Sequence, residues 1–138
     1  MTNRKKYSKL IEVSTDARNN AQAPYSNFRV GAAIEGKSGK IYSAFNIEVS
    51  SYGLSMCAER IAIWKAISLG EKEFRRIALV SDADDFCTPC GACRQVLYEL
   101  AGNIEVIMTN GNGEIKIKQL SQLLPEAFTA ETLNNGRS

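Results

Sequence analysis

Four residues carry the chemistry that this sequence can do: Cys57, Glu59, Cys90 and Cys93. Cys57 is expected at the start of one helix, and Cys90 and Cys93 at the start of another. Three residues apart, the latter two share a helix face and both sulfurs can reach one ion. Three thiolates converging from two helix starts would make a tetrahedral zinc site with one position left for water. Glu59 follows Cys57 by two residues, a spacing that points side chains to different faces of a regular helix. The pair shares a site only where Cys57 is in the first turn with its sulfur directed off the helix end. Placed there, the carboxylate reaches a water and can carry a proton, which makes Glu59 the general acid/base candidate. Three thiolates on a divalent ion leave net negative charge. Two helix N-termini and the nearby Arg60 are the groups available to offset it.

The 138 residues contain four cysteines and no histidine. A Ser-His-Asp hydrolase, a Cys-His protease, a His-ligated zinc enzyme and a histidine proton shuttle are all excluded, since each needs an imidazole. The net charge of +2, from 17 basic and 15 acidic residues, gives no field that argues for nucleic acid or anionic lipid. The cluster Arg4-Lys5-Lys6 reads as a solvated helix turn. No apolar run approaches a membrane span, and the N-terminus lacks the pattern of a secretory signal. A cytoplasmic protein is expected. Its thiols are then held reduced, and an even cysteine count points to metal or catalysis before disulfides.

Cys87 lies before the second cysteine pair, beside the Thr88-Pro89 turn, and is expected to be a non-ligand thiol. Because Cys87, Cys90 and Cys93 form a Cys-x2-Cys-x2-Cys run, two other readings stay open. One is a closed four-cysteine structural zinc site, including Cys57, in a binding module. The other is the start of a bacterial iron–sulfur motif, although Leu97 stands where that motif wants its next cysteine. A closed site would leave Glu59 without a task.

These residues need elements to position them. Leu10, Val13 and Ala17 repeat at helical spacing between about Lys5 and Ala21. Strands are expected over Phe28 to Ile34 and Ile41 to Ile47, joined by the turn Gly36-Lys37-Ser38-Gly39. A helix from about Met56 to Ser68 should pack on the sheet, with Ile61, Trp64 and Ile67 close to one face. Ile77 to Val80 and Ile104 to Met108 read as buried strands, separated by a helix opened by Pro89 and closed near Gly102. The turn Asn110-Gly111-Asn112-Gly113 leads to a strand at Ile115 to Ile117, then a short helix over Gln119 to Leu124. This order predicts the α/β class: a single three-layer α/β/α domain over residues 1–138 with a mixed five-stranded sheet. Residues from about 131 to 138 are expected to be a flexible tail.

Cys57-Ala58-Glu59-Arg60, followed by Pro89-Cys90-Gly91-Ala92-Cys93-Arg94-Gln95-Val96-Leu97, resembles the paired zinc motif of the cytidine deaminases, in their small all-cysteine class. The likeness continues through Ala23-Pro24-Tyr25-Ser26-Asn27-Phe28-Arg29-Val30-Gly31-Ala32-Ala33, Asn46-Ile47-Glu48 and Leu123-Leu124-Pro125-Glu126-Ala127-Phe128, in family order and over nearly the whole chain. The resemblance implies a cytidine deaminase-like fold and one Zn2+ per subunit on Cys57, Cys90 and Cys93. It implies hydrolytic deamination of cytidine and 2′-deoxycytidine in pyrimidine salvage, with Glu59 moving the protons. By the same likeness Phe28 stacks on the pyrimidine and Asn46 and Glu48 bind the sugar 3′-hydroxyl. Backbone groups of Ala58 and Thr88 contact the base, and Phe128 reaches into a neighbouring subunit's site in a homotetramer. Taken alone, Phe28 would be a core residue of a strand; only the segment around it reverses that.

The implied partner is a small nucleoside, with neither nucleic acid nor membrane. Deaminases of nucleotides and nucleic acids typically carry histidine as first ligand and need cationic groups for phosphate, and this chain has Cys57 and no basic stripe. A nucleoside-antibiotic deaminase shares the three cysteines, but Phe28 and Asn46-x-Glu48 fit a free nucleoside better. Val49 stands where the family usually has a second asparagine, and Phe45 where a small residue is common. Both departures bear on the sugar pocket and neither touches the chemistry.

Overall fold

A computed structural model describes residues 2–135, and of residues 2–6 the backbone alone. The side chains of the Arg4-Lys5-Lys6 cluster and residues 136–138 lie outside the described residues. The elements in chain order are α1 (Thr2–Asn19), β1 (Val30–Gly36), β2 (Ile41–Phe45), a single helical turn at Tyr52–Leu54, and α2 (Ala58–Ser68). They continue with β3 (Phe74–Ser81), α3 (Gly91–Ala101), β4 (Glu105–Thr109), β5 (Ile115–Gln119), α4 (Leu120–Leu123) and α5 (Ala130–Asn135). The expected tail falls partly on α5, which buries no side chain, and partly on the residues not described.

The strands form one mixed five-stranded sheet in the order β2-β1-β3-β4-β5, parallel only between β3 and β4. Side chains alternate across a strand, so neighbouring residues face opposite layers. Ala33, Ala78 and Ile107 meet Tyr7 and Leu10 of α1 on one face. Ala32, Ile34, Ile77, Leu79, Val106 and Met108 point the other way, into a core closed by α2 and α3. The result is the three-layer α/β/α arrangement.

The helix expected from about Met56 presents a different face from the one its large residues suggest. Ala58, Glu59, Ala62, Ile63 and Ala66 are buried, while Trp64 is 44% and Ile67 40% exposed, and only Ile61 of the expected trio packs against the core. Alanines at 58, 62 and 66 recur every four residues, and this smooth stripe lets the helix lie close against the sheet. Bulk at Trp64 is carried on the outside.

Three boundaries also shift. The first strand begins at Val30, not Phe28, because the Asn46 side chain takes the Phe28 carbonyl and the Val30 N–H in place of a strand partner. The second ends at Phe45, and Ile47 instead bridges singly to Gln22 and Met56. Pro89 precedes the third helix without entering it, since Cys90, in extended conformation, is the cap residue.

Gly31 sets the closeness of the α1 layer. A Cβ there would collide with the Ser14 carbonyl and the Arg18 backbone of α1. The Ser14 hydroxyl meanwhile donates to the Leu10 carbonyl within α1 at 2.8 Å and reaches the Ala78 carbonyl of β3 at 3.3 Å. The obstructing atoms are backbone and cannot swing aside. Gly31→Ala is therefore expected to destabilise the fold by about 3 kcal/mol, read as a lower urea midpoint with an unchanged slope.

Candidate active site

The antiparallel pairing of β1 with β3 places Val30 opposite Ser81, so the start of β1 and the end of β3 share one end of the sheet. Phe45, at the end of β2, pairs with Gly31 at that same end. The connections leaving these strands carry Asn46 and Glu48 on one side and the Cys87 to Cys90 loop on the other. A cavity of about 430 Å³ opens there, in the range of small-molecule sites.

Two helices begin at this cavity. Cys57 caps α2 and Cys90 caps α3, both in extended conformation and neither using its sulfur as a capping acceptor. Cys93 follows in the first turn of α3 and is fully buried. The sulfurs of Cys57 and Cys90 are 3.8 Å apart and those of Cys90 and Cys93 3.4 Å, with all three within 4.8 Å of one another. A tetrahedral ion with metal–sulfur distances of about 2.3 Å would space its ligands by roughly 3.8 Å. The three thiols are positioned to hold one metal ion, with zinc chemistry matching an all-sulfur donor set.

Electrostatics prepare this cluster for negative charge. The N-termini of α2 and α3 both end on it. The Arg60 guanidinium donates from Nη2 to the Cys57 sulfur at 3.6 Å. The Cys93 thiol, Arg60 and Cys90 together favour a thiolate at Cys57, whose pKa falls to about 5 although burial opposes the shift. Cys93, beside that thiolate and out of solvent, is pushed far above the ordinary thiol range.

Glu59 occupies the second position of α2, with Cys57 as its cap, which is the arrangement that the two-residue spacing required. It is 5% exposed and lines the cavity. Burial raises its carboxyl to about 7, against a bond from its own backbone N–H, and the Cys57 charge adds to the rise. A carboxyl poised near neutrality accepts and returns protons with little cost in either direction.

Phe28, Asn46, Glu48, Cys57, Ala58, Glu59, Thr88 and Cys90 all line the one cavity. Phe28 is 41% exposed, so its ring is available to a ligand and is not a core residue. Cys93 lies behind the wall. Phe128 does not line the cavity; it is 57% exposed, and its carbonyl accepts from the Gln95 side chain at 2.7 Å. Arg94 ties this C-terminal segment to the cap of α3, donating to the Pro89 and Leu123 carbonyls at 2.8 Å each.

Cys87 stands outside the sulfur cluster. It is buried in the α2/α3 core, and burial pushes its thiol up to about 11. Among the described residues only Cys57, Cys90 and Cys93 bring their sulfurs together, which disfavours the closed four-cysteine reading. Ser26, Ser55, Met56, Ser81 and Phe86 also line the cavity and were not among the expected site residues. Ser26 sits inside a segment that carries the family resemblance, whereas Ser81 and Phe86 have no sequence signal and arrive through sheet topology.

A family model described as the cytidine and deoxycytidylate deaminase zinc-binding region matches residues 4–110, which include all three clustered cysteines and Glu59. The chain is 46% identical over 127 residues to a cytidine deaminase of Sporosarcina psychrophila, covering 91% of this chain and 93% of that one. It is 42% identical over 132 residues to a probable cytidine deaminase of Dictyostelium discoideum, covering 95% and 89% respectively. The crystal structure of a cytidine deaminase from Burkholderia pseudomallei superposes with a TM-score of 0.85 at 44% identity, over 88% of this chain and 98% of that one.

The cluster geometry separates the four cysteines by metal quantitation. Serine at position 57, 90 or 93 is expected to abolish stoichiometric zinc. Cys87→Ser is expected to keep one zinc per chain, and its loss would restore the closed four-cysteine site.

Proposed function

The chain belongs to the cytidine and deoxycytidylate deaminase zinc-binding family, and on that premise we propose that it hydrolyses free cytidine and 2′-deoxycytidine to uridine and 2′-deoxyuridine, releasing ammonia, in pyrimidine salvage. The observation that carries the reading is a buried carboxyl, Glu59, held against a three-thiol cluster at the floor of a nucleoside-sized cavity.

Cys57, Cys90 and Cys93 would hold zinc, which supplies a Lewis acid that brings the pKa of water toward neutrality. Glu59 accepts a proton from the attacking water and delivers it to ring N3 as oxygen adds to C4. The same carboxylate then takes the proton of the new C4 hydroxyl and delivers it to the exocyclic nitrogen, the C4–N bond breaks, and ammonia leaves a C4 carbonyl. One group serves both transfers because its pKa lies near neutrality in this environment.

Phe28 offers the pyrimidine an aromatic face, which gives affinity without demanding hydrogen-bond geometry. The first N–H groups of a helix have no intrahelical acceptor, so Ala58 can donate to the base oxygen. The Thr88 carbonyl can accept from the amino group. Asn46 and Glu48 stand where a sugar hydroxyl would lie. Arg60 offsets the thiolate charge.

Phe128 completes a neighbouring subunit's site in a homotetramer. Its exposure supports this, as does the apolar surface formed by Trp64 and Ile67 of α2 with Leu69 just beyond its end. A cavity of about 280 Å³ lined by Tyr25 and Tyr52 adjoins the main one and suits an aromatic side chain. A cytoplasmic location accords with the absence, among the described residues, of any helix long and apolar enough to cross a membrane.

The direct test follows the absorbance loss as cytidine becomes uridine, alongside zinc quantitation. Glu59→Gln is expected to keep its zinc and lose turnover by about 10³-fold. A Glu59→Gln enzyme that deaminates at the unsubstituted rate overturns the proton-carrier role, and an unsubstituted enzyme inert toward cytidine and deoxycytidine overturns the substrate.

A further inference from the structure

Ser26 connects two parts of the cavity wall that otherwise belong to different segments of the chain. The loop before β1 carries Phe28 and is held from the side by residues that follow β2. Asn46 accepts the Val30 N–H on Oδ1 and donates from Nδ2 to the Phe28 carbonyl, each at 2.8 Å. Glu48 Oε1 accepts two backbone donors, the N–H of Tyr25 at 3.1 Å and of Ser26 at 3.0 Å. Its Oε2 accepts the Ser26 hydroxyl at 2.5 Å. The same hydroxyl oxygen accepts the Phe28 N–H at 3.1 Å. Asn27, at a left-handed φ of 57°, makes the turn that lets Ser26 reach forward to Phe28, a conformation asparagine adopts more readily than most residues.

A carboxylate has about four acceptor positions. Two on Oε1 and one on Oε2 are already filled, which leaves one on Oε2 for an incoming hydroxyl. The Ser26 bond therefore decides which acceptor of Glu48 stays open. The hydroxyl donates to a carboxylate while accepting from an amide, and each bond polarises the other.

We propose that Ser26 is a positioning residue for nucleoside binding: its single hydroxyl fixes the rotamer of Glu48 and the backbone of Phe28 together, setting the sugar acceptor and the base-stacking ring at one separation. Ser26 is itself exposed and outside the core, so its removal leaves the fold intact. The proposal rests on the nucleoside deaminase reading above.

The test compares zinc-loaded Ser26→Ala, Ser26→Thr, Glu48→Gln and the Ser26→Ala/Glu48→Gln double variant by steady-state kinetics with cytidine. Ser26→Ala is expected to raise KM about tenfold, as for loss of a bond to a charged group, with kcat changed by less than about twofold. Threonine, which keeps the hydroxyl, is expected to restore KM to within about threefold of the unsubstituted enzyme. The double variant is expected to have a KM no higher than that of Glu48→Gln alone, because the two residues act through one bond. An unchanged KM in Ser26→Ala, a kcat loss as large as the KM rise, failure of threonine to rescue, or multiplicative effects in the double variant would each overturn it. Unsubstituted enzyme run in the same series keeps the two failures apart. No turnover there removes the deaminase reading itself, whereas normal turnover with an indifferent Ser26→Ala removes only this inference.

Discussion

Three sulfurs within 4.8 Å of one another repel once they ionise, and the surrounding structure is arranged around that repulsion. In water the charges would be screened, but Cys93 is fully buried and Cys57 half-buried, where screening is weaker. The opposed shifts of the two thiols express the conflict: one sulfur takes the negative charge and its neighbour keeps its proton. Cys57, Cys90 and Cys93 together could hold a metal ion as three thiolates, and the resulting cluster would carry net negative charge. Helix N-termini and a guanidinium are the fixed positive groups that remain, and the structure brings both to the cluster.

That requirement explains the layout of the sheet end. Parallel β3 and β4 need a crossover, and α3 supplies it, so its N-terminus emerges beyond the end of β3. β1 and β2 run so that the start of one and the end of the other lie at this same end. α2 then has to lie near the sheet and beside α3, and the alanine stripe at 58, 62 and 66 permits the close approach. Packing thus settles where the helix starts converge, while electrostatics decides what those starts can bear.

What is legible in the chain is what is local. Cysteine and glutamate spacings state their own geometry, because a helix's first turn is the same wherever it sits, and the structure finds Cys57 as cap and Glu59 two positions on. Strand alternation likewise announces which residues face which layer. The buried face of α2 is not legible from bulk, since Trp64 and Ile67 dominate any hydrophobicity pattern although the helix packs through its smallest residues. The start of β1 at Val30 is hidden for a related reason: an asparagine side chain sixteen positions away substitutes for a strand partner, and that pairing exists only in the folded chain.

Backbone hydrogen bonds tie the Asn46 and Glu48 side of the cavity to the side that carries the sulfur cluster. Ile47, between Asn46 and Glu48, exchanges hydrogen bonds with Met56, the residue immediately before Cys57, at 3.1 and 2.9 Å. Its neighbours do the same work on the other side, where Gln22 donates to the Asn46 carbonyl and accepts from the Glu48 N–H at 3.2 and 3.0 Å. One short extended segment is therefore held between the loop that carries Phe28 and the first turn of α2. The start of that helix carries a thiol, a carboxyl and a guanidinium at three positions, Cys57, Glu59 and Arg60. Moving the helix start by one residue would rotate all three away together, by about 100°. The Ile47–Met56 bridge, made of groups every residue possesses, holds that start in register with the opposite cavity wall, which is why no side chain in the sequence announces it.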